Sequence, residues 1–469
     1  MITSKESFGP SVEILLPPSS GEELAGPPQA VAPVKQAERI AGLDVLRGFA
    51  LLGILMLNID DFAGPEFFHD IPIGLPKPAF TGPHTHLHLA ILFLKWILFE
   101  GKMRALFSML FGAGVILLIS RAEKRGAGIR AADIFTRRNL WLCGLGLLHG
   151  TFLWHGDILF GYGLCALLFL FPLRNLKTKT LLIAGILIGI VLDTYNVIQY
   201  TDAYEDIRLS KQAAAIAADQ HAGKRLTAEQ KQSLQQWQAT VEKKSVTQKR
   251  IDERMAEAHE GYLAHLMKKG LDYGSHGFAS FYGFELSDTL GAMLIGMALF
   301  KCGFLIGELS YAAYLWTALL GFLVSVPIYI VGIWEVYLDG FSFVSVDEWA
   351  YAPYSVARLP GAVAIAAVLL ILIKSGAFRF LLRPFAAVGQ TALSNYLLTT
   401  VLCQTLFLWG PWKLYGKLEY YQYTFVVFSI WAVNLILSPL WLRAFEFGPV
   451  EWLWRSLTYW KLQSMRLRA

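Results

Sequence analysis

Apolar runs close to bilayer length recur along this chain from residue 43 to residue 443. A membrane-crossing helix needs about 20 mostly apolar residues to span a hydrocarbon core of about 30 Å. Inside that core each backbone N–H and C=O must find its partner within the segment, so such runs fold as helices. Ten stretches fit: 43–62, 103–120, 139–154, 158–173, 180–199, 284–301, 309–334, 358–375, 385–409 and 422–443. Residues 87–99 are also apolar but too short to span, and read as an interfacial or re-entrant helix feeding the second stretch. The predicted fold class is therefore an all-α polytopic membrane protein with about ten transmembrane helices. Composition agrees. Charged residues make up 16% of the chain, against about 25% in soluble domains, too few to clothe a soluble surface of this size.

The placement of those charges predicts the organisation. Residues 201–270 hold 22 of the 77 charged side chains and no proline, and are rich in Ala, Gln, Lys and Glu. They read as an extramembrane helical hairpin, with Thr227 and Gln230 spaced as a capping box. Elsewhere basic residues cluster between apolar runs, at 121–138, 174–179, 374–383 and 443–468. With ten spans and both termini inside, all four clusters fall on the cytoplasmic side. The chain then divides into a disordered cytoplasmic tail (1–38), helices one to five (39–200), an extracytoplasmic insert (201–275), helices six to ten (276–445) and a cytoplasmic C-terminal segment (446–469). No basic tract is dense enough for nucleic acid at a net charge of +5. Cys143, Cys165, Cys302 and Cys403 lie in or beside apolar runs without CxxC spacing, which argues against a disulfide framework or a zinc site. His84, His86 and His88 alternate, so on an extended segment they would face one way, but no acidic or thiol ligand is close in sequence.

Ionisable groups within apolar spans are costly, and mark either function or a paired structural site. Asp44 and Arg47 lie three apart on the first span, either as an internal pair or with Arg47 offered to a phosphate. Glu100, Lys102 and Arg104 sit at the entry to the second span, as a snorkelling cluster or a cavity lining. His149 falls deep in the third span, as a packing histidine or as a general base. Asp157 follows in the next turn and is suited to orient a histidine, either His149 or His155. Ser394 and Asn395 make the ninth span unusually polar, for interhelical hydrogen bonds or for substrate contact. Glu451 and Arg455 are spaced as a helical i,i+4 pair after the last span.

The stretches Asp44–Ile59, Glu100–Gly114, Arg137–Tyr162, Leu290–Gly303, Gly389–Leu398 and Gly448–Tyr459 together resemble the YeiB-like family of bacterial inner-membrane proteins, domain-of-unknown-function family 418. The insert and the proline-rich tail depart from that pattern. The opening Arg39-x-x-x-x-Asp44-x-x-Arg47-Gly48 is similar to that of transmembrane acyltransferases of the acyltransferase-3 and heparan-glucosaminide acetyltransferase type. The resemblance implies a cytosolic acyl-CoA co-substrate, no covalently bound cofactor or metal, and transfer through a membrane-embedded histidine to an extracytoplasmic acceptor. Where acyltransferase-3 proteins often carry a histidine after the Arg-Gly, this chain has Asn58.

Two main readings follow. As an acyltransferase of the bacterial inner membrane, Arg39, Arg47, Arg137 and Arg138 hold donor phosphates, and His149 acts with Asp157. Asn58, Glu100, Lys102, Arg104, His155, Ser394 and Asn395 then contact substrate. As a transporter or lipid carrier, the same polar strip is a substrate path, with 87–104 as a gate. A third reading is a structural or signalling protein that binds partners through the insert. The bilayer is the expected surrounding in every case, and the oligomeric state is left open, a homo-oligomer included.

Overall fold

The computed structural model describes residues 41–65, 82–124, 126, 129–273 and 285–467. Arg39 and the N-terminal tail lie outside the described residues. The described chain is helical throughout, with a lone antiparallel bridge between Phe445 and Arg466. Seven helical stretches are long and apolar enough to cross a membrane: Ala41–Ala63, Thr85–Lys124, Thr178–Thr201, Tyr311–Leu338, Tyr354–Ser375, Ala392–Trp409 and Tyr420–Trp441. Three further expected spans fall in helices that are shorter or more polar, Ile129–Phe152, Leu159–Leu173 and Leu286–Lys301. Helix length and apolarity thus give seven spans among the described residues, fewer than the ten expected.

Burial sorts these helices into an inner and an outer set. Helix α1 (Ala41–Ala63) is apolar all round between Arg47 and Asn58, and its hydrophobic window is 78% buried, as such a helix at the centre of a bundle should be. Thr178–Thr201, Tyr311–Leu338 and Tyr420–Trp441 are buried over only 22–28% of theirs. They turn residues such as Ile183, Leu187, Leu319, Leu323, Phe425 and Ile436 outward, where lipid replaces protein as solvent. Small residues let the inner helices touch backbone to backbone. A Cβ on Gly48 would run into the Phe385 carbonyl, and one on Gly389 into that of Asp44. Gly112 and Gly296 do the same between Lys102–Lys124 and Leu286–Lys301.

Two expected elements are broken. The 40 residues Thr85–Lys124 would measure about 60 Å as one helix, twice the hydrocarbon core. The chain divides them into Thr85–Leu98 and Lys102–Lys124, through a turn in which Gly101 takes a φ of +65°. His84, Thr85, His86 and His88 thus start a helix rather than an extended segment. His84 and His88 share a face toward Glu419, at 2.8 and 3.5 Å, and His86 does not. The stretch 385–409 is also two helices, α2 (Arg379–Gln390) and α3 (Ala392–Trp409), parted at Thr391. The break is held from a distance. The Glu451 carboxylate accepts hydrogen bonds from the Leu393 and Ser394 N–H groups at 2.6 and 3.1 Å, which supplies the acceptor a new helix start needs.

The insert holds a hairpin of Ala203–His221 and Ala228–Lys244, followed by a third helix, Gln248–His259. Its capping box forms: Gln230 N donates to Thr227 Oγ1 at 3.2 Å, and Thr227 N to Gln230 Oε1 at 2.9 Å. Lys211 reaches Glu348 at 3.1 Å, Trp237 packs on Phe343, and Lys244 pairs with Asp206 while donating to the Thr201 carbonyl. The basic loops meet one another: Arg174 reaches Glu123 at 3.8 Å, and Arg138 lies over the Trp454 ring.

Candidate functional site

Helix α4 (Ile129–Phe152) carries His149 in its last turn, and the chain reverses within Trp154–Ile158 before the next helix starts at Leu159. This tight reversal returns Asp157 to His149, with Nδ1 and Oδ1 2.8 Å apart. Just ahead of the Ile158 N-cap, Asp157 also supports the following helix: its Oδ2 accepts the Phe160 N–H of the first turn at 2.8 Å. Gly146, on the His149 face one turn earlier, makes the room: a Cβ there would lie 2.7 Å from Asp157 Oδ2. Tyr273 adds a third donor to the carboxylate at 3.4 Å. With Nδ1–H donated to Asp157, the neutral imidazole keeps its lone pair on Nε2. That atom lies 3.0 Å from Thr400 Oγ1 on α3. The Tyr396 ring covers the imidazole, with centroids 4.9 Å apart. All three members of the line Asp157–His149–Thr400 are buried. Gln404, which donates to the Leu153 carbonyl at 2.9 Å, and Trp154, whose indole donates to Asp61 at 2.8 Å, fix the turn against α3 and α1.

Two cavities flank this line. A small one of about 20 Å³ is bordered by Thr400, Thr399, Asn58, Tyr396, Trp154, Phe62 and three aliphatic residues of α1. A larger one of about 260 Å³ opens at the basic end. Its polar rim includes Arg47, Arg121, Arg138 and Arg455, and its inner wall is apolar, with Phe107, Leu110, Phe111, Leu142 and Tyr162 among its residues. Tyr396 borders both cavities. Asp44 and Arg47 pair at 2.9 Å and line the larger cavity together. Arg138 lies flat over the Trp454 ring at 3.7 Å, and Arg455 over Phe447 at 4.3 Å.

Other sequence candidates lie elsewhere. Arg137 pairs with Asp133 and does not border the cavity that Arg138 lines, since adjacent helical residues point about 100° apart. His155 is exposed toward Asp61 at 3.6 Å, which leaves His149 as the partner of Asp157. Ser394 donates to Glu451, and the Asn395 amide is divided among Val388, Thr391 and Ser438, all contacts that fasten α3 to its neighbours. Glu100, Lys102 and Arg104 line neither cavity. Lys102 donates to the Trp96 carbonyl at 2.9 Å under the Tyr329 ring, and Glu100 accepts from Tyr354 at 2.8 Å. Arg104 reaches Asp288 at 3.2 Å and joins a buried assembly in which Arg358 bridges Asp288 and Asp193. Asp193, Asp288 and Arg358 were missed from sequence, although an ionisable residue inside an apolar run is signal enough. Thr400 had no such signal. Among the described residues, no group of three or more His, Cys, Asp or Glu side chains is arranged to hold a metal ion.

Residues 299–461 match the family described as "Protein of unknown function (DUF418)". The "Uncharacterized protein YeiB" of Escherichia coli (strain K12) is 29% identical, over 90% of this chain and 96% of the relative. The "Uncharacterized protein YxaH" of Bacillus subtilis (strain 168) is 27% identical, over 92% and 96%. No solved structure matches the chain. That family match, and relatives that run along nine-tenths of its length, support the resemblance of this chain to the YeiB-like DUF418 family.

Proposed function

We propose that this protein is a transmembrane acyltransferase, which takes an acyl group from an acyl-CoA-type donor on the cytosolic side for an acceptor beyond the membrane. The observation that carries the reading is the Asp157–His149–Thr400 line beside a cavity with an arginine rim and an apolar wall. Guanidinium groups suit phosphate oxygens, and an apolar wall suits an acyl chain, so a phosphate-bearing acyl carrier matches the cavity in both halves. The basic end faces the cytosol of a bacterial inner membrane by the positive-inside rule. Asp157 fixes the imidazole with Nε2 free to take a proton, the arrangement of an oriented general base. Tyr396, which borders both cavities, is the side chain that separates donor from base.

The experiment is turnover of acetyl- and palmitoyl-coenzyme A by the purified full chain, read as thiol release with and without added acceptors such as glycerol and glucosamine. Expected is release that His149→Ala abolishes. Thiol release at the same rate in His149→Ala would remove the histidine from the chemistry. No release with either thioester, together with flux of a solute in proteoliposomes, would favour the carrier reading instead.

A further inference from the structure

Resting on the acyl-transfer reading, we propose that Thr400 is a nucleophile: it receives the acyl group as an oxygen ester before the final acceptor does. A nucleophile–base–orienter line has a hydroxyl within hydrogen-bond reach of an imidazole whose other nitrogen is held by a carboxylate. Thr400, His149 and Asp157 meet that description at 3.0 and 2.8 Å, drawn from two helices and the turn that follows α4. The Thr400 hydroxyl has two acceptors in reach, His149 Nε2 at 3.0 Å and the Tyr396 carbonyl at 3.3 Å. The second is the ordinary back-bond of a helical threonine. The first is not supplied by the helix at all, and exists only because α4 delivers the imidazole there. Thr399 next door has a different occupation, accepting from the Asn434 amide at 3.1 Å.

The space beside Thr400 sets the size of the acyl group. About 20 Å³ holds little more than one water-sized body, so a long chain does not fit there, and a two-carbon acyl group enters only as the lining side chains give way. Asn58 borders the same space and brings a side-chain amide donor to it, the kind of group that stabilises a developing oxyanion.

The steps balance. The Thr400 hydroxyl attacks the thioester carbonyl as His149 Nε2 accepts its proton. The tetrahedral adduct collapses with cleavage of the C–S bond, and the leaving thiolate takes that proton from His149. An acceptor hydroxyl then attacks the Thr400 ester carbonyl and gives its proton to His149. The C–O bond to Thr400 breaks, and the threonine oxygen recovers the proton. Water in place of the acceptor yields acetate by the same route.

The test uses the purified full chain and acetyl-coenzyme A, quenched in acid and mapped by peptide mass spectrometry alongside stopped-flow thiol release. Expected is a burst of one thiol per protein and one acetyl group on the peptide that contains Thr400. Thr400→Ser should keep both. Thr400→Cys should carry its acetyl as a thioester, released by neutral hydroxylamine, which a merely structural threonine could not produce. Thr400→Val, nearly isosteric, should lose turnover at least a hundredfold with an unchanged elution profile. Acetyl on His149, or turnover in Thr400→Val at the wild-type rate, overturns the nucleophile while leaving acyl transfer intact. Absence of thiol release from the wild-type chain overturns both.

Discussion

Two buried polar assemblies sit in the interior of this bundle, and what lies beside each separates them. In the Asp193–Arg358–Asp288–Arg104 assembly the buried groups meet one another: Asp193 also accepts from Ser287 and Ser355, and none of the four borders either of the two cavities described above. The Asp157–His149–Thr400 line is open, since Thr400 ends on empty space and the Tyr396 ring over the imidazole is a cavity wall. Burying charge is expensive wherever it occurs, so burial alone marks both assemblies equally. A neighbouring cavity is what distinguishes a group that can meet a ligand from one that only meets its partners.

This contrast predicts opposite phenotypes. His149→Ala should lower acyl turnover by about a hundredfold to ten-thousandfold, the usual contribution of a positioned base. The midpoint of thermal unfolding in detergent should fall less than in Arg358→Leu, because loss of His149 leaves one carboxylate that keeps the Phe160 N–H and Tyr273, whereas Arg358 serves two, Asp193 and Asp288. A variant that unfolds rather than merely losing activity would erase the distinction. Arg358→Leu should do the reverse, leaving Asp193 without its cation and costing about 3–5 kcal/mol of stability. Unfolding of solubilised protein in denaturant measures it, and a loss below about 1 kcal/mol would show that assembly to be dispensable.

Smaller effects sharpen the boundary of the open site. Arg138→Gln should raise KM for the acyl donor about tenfold with kcat nearly unchanged, as loss of a hydrogen bond from a charged group to phosphate would. Arg137→Gln should leave both constants alone, and equal effects from the two would argue against the cavity as the donor site. The smallest effect concerns the insert. Burial pushes the Asp347 carboxyl up from 3.8 to about 7, with Lys244 opposing and Asp206 and Asp202 reinforcing the shift. A raised carboxyl pKa favours the folded, docked form at low pH. That stabilisation is complete below about 4 and lost as pH rises to about 7. Hydrogen exchange of residues 203–259 should therefore be slower at pH 5 than at pH 8 after correction for intrinsic rates, and Asp347→Asn should flatten the difference.

Much of the fold was legible because bilayer physics is written in short-range pattern. Apolar run length gave the long helices, and the charge-rich stretch at 201–270 gave a helical insert whose Thr227–Gln230 cap forms as spaced. The break at Thr391 was not legible, since the acceptor that stabilises the second helix start is Glu451, 58 residues away from Leu393. The partner of Asp157 stayed open between two histidines until the reversal after α4 was seen to turn His155 outward.

By itself the sequence determined the solvent this chain folds in, the helicity of its charge-rich insert and the rarity of charge within its spans, because each depends on neighbours a few residues apart. Tertiary structure alone decided which buried charges cancel one another and which border a cavity. It also decided that Thr400 meets an imidazole 251 residues away. The reason is geometric: one residue of helical phase separates Arg138, on the cavity, from Arg137, beside it, and packing between distant helices chooses the face.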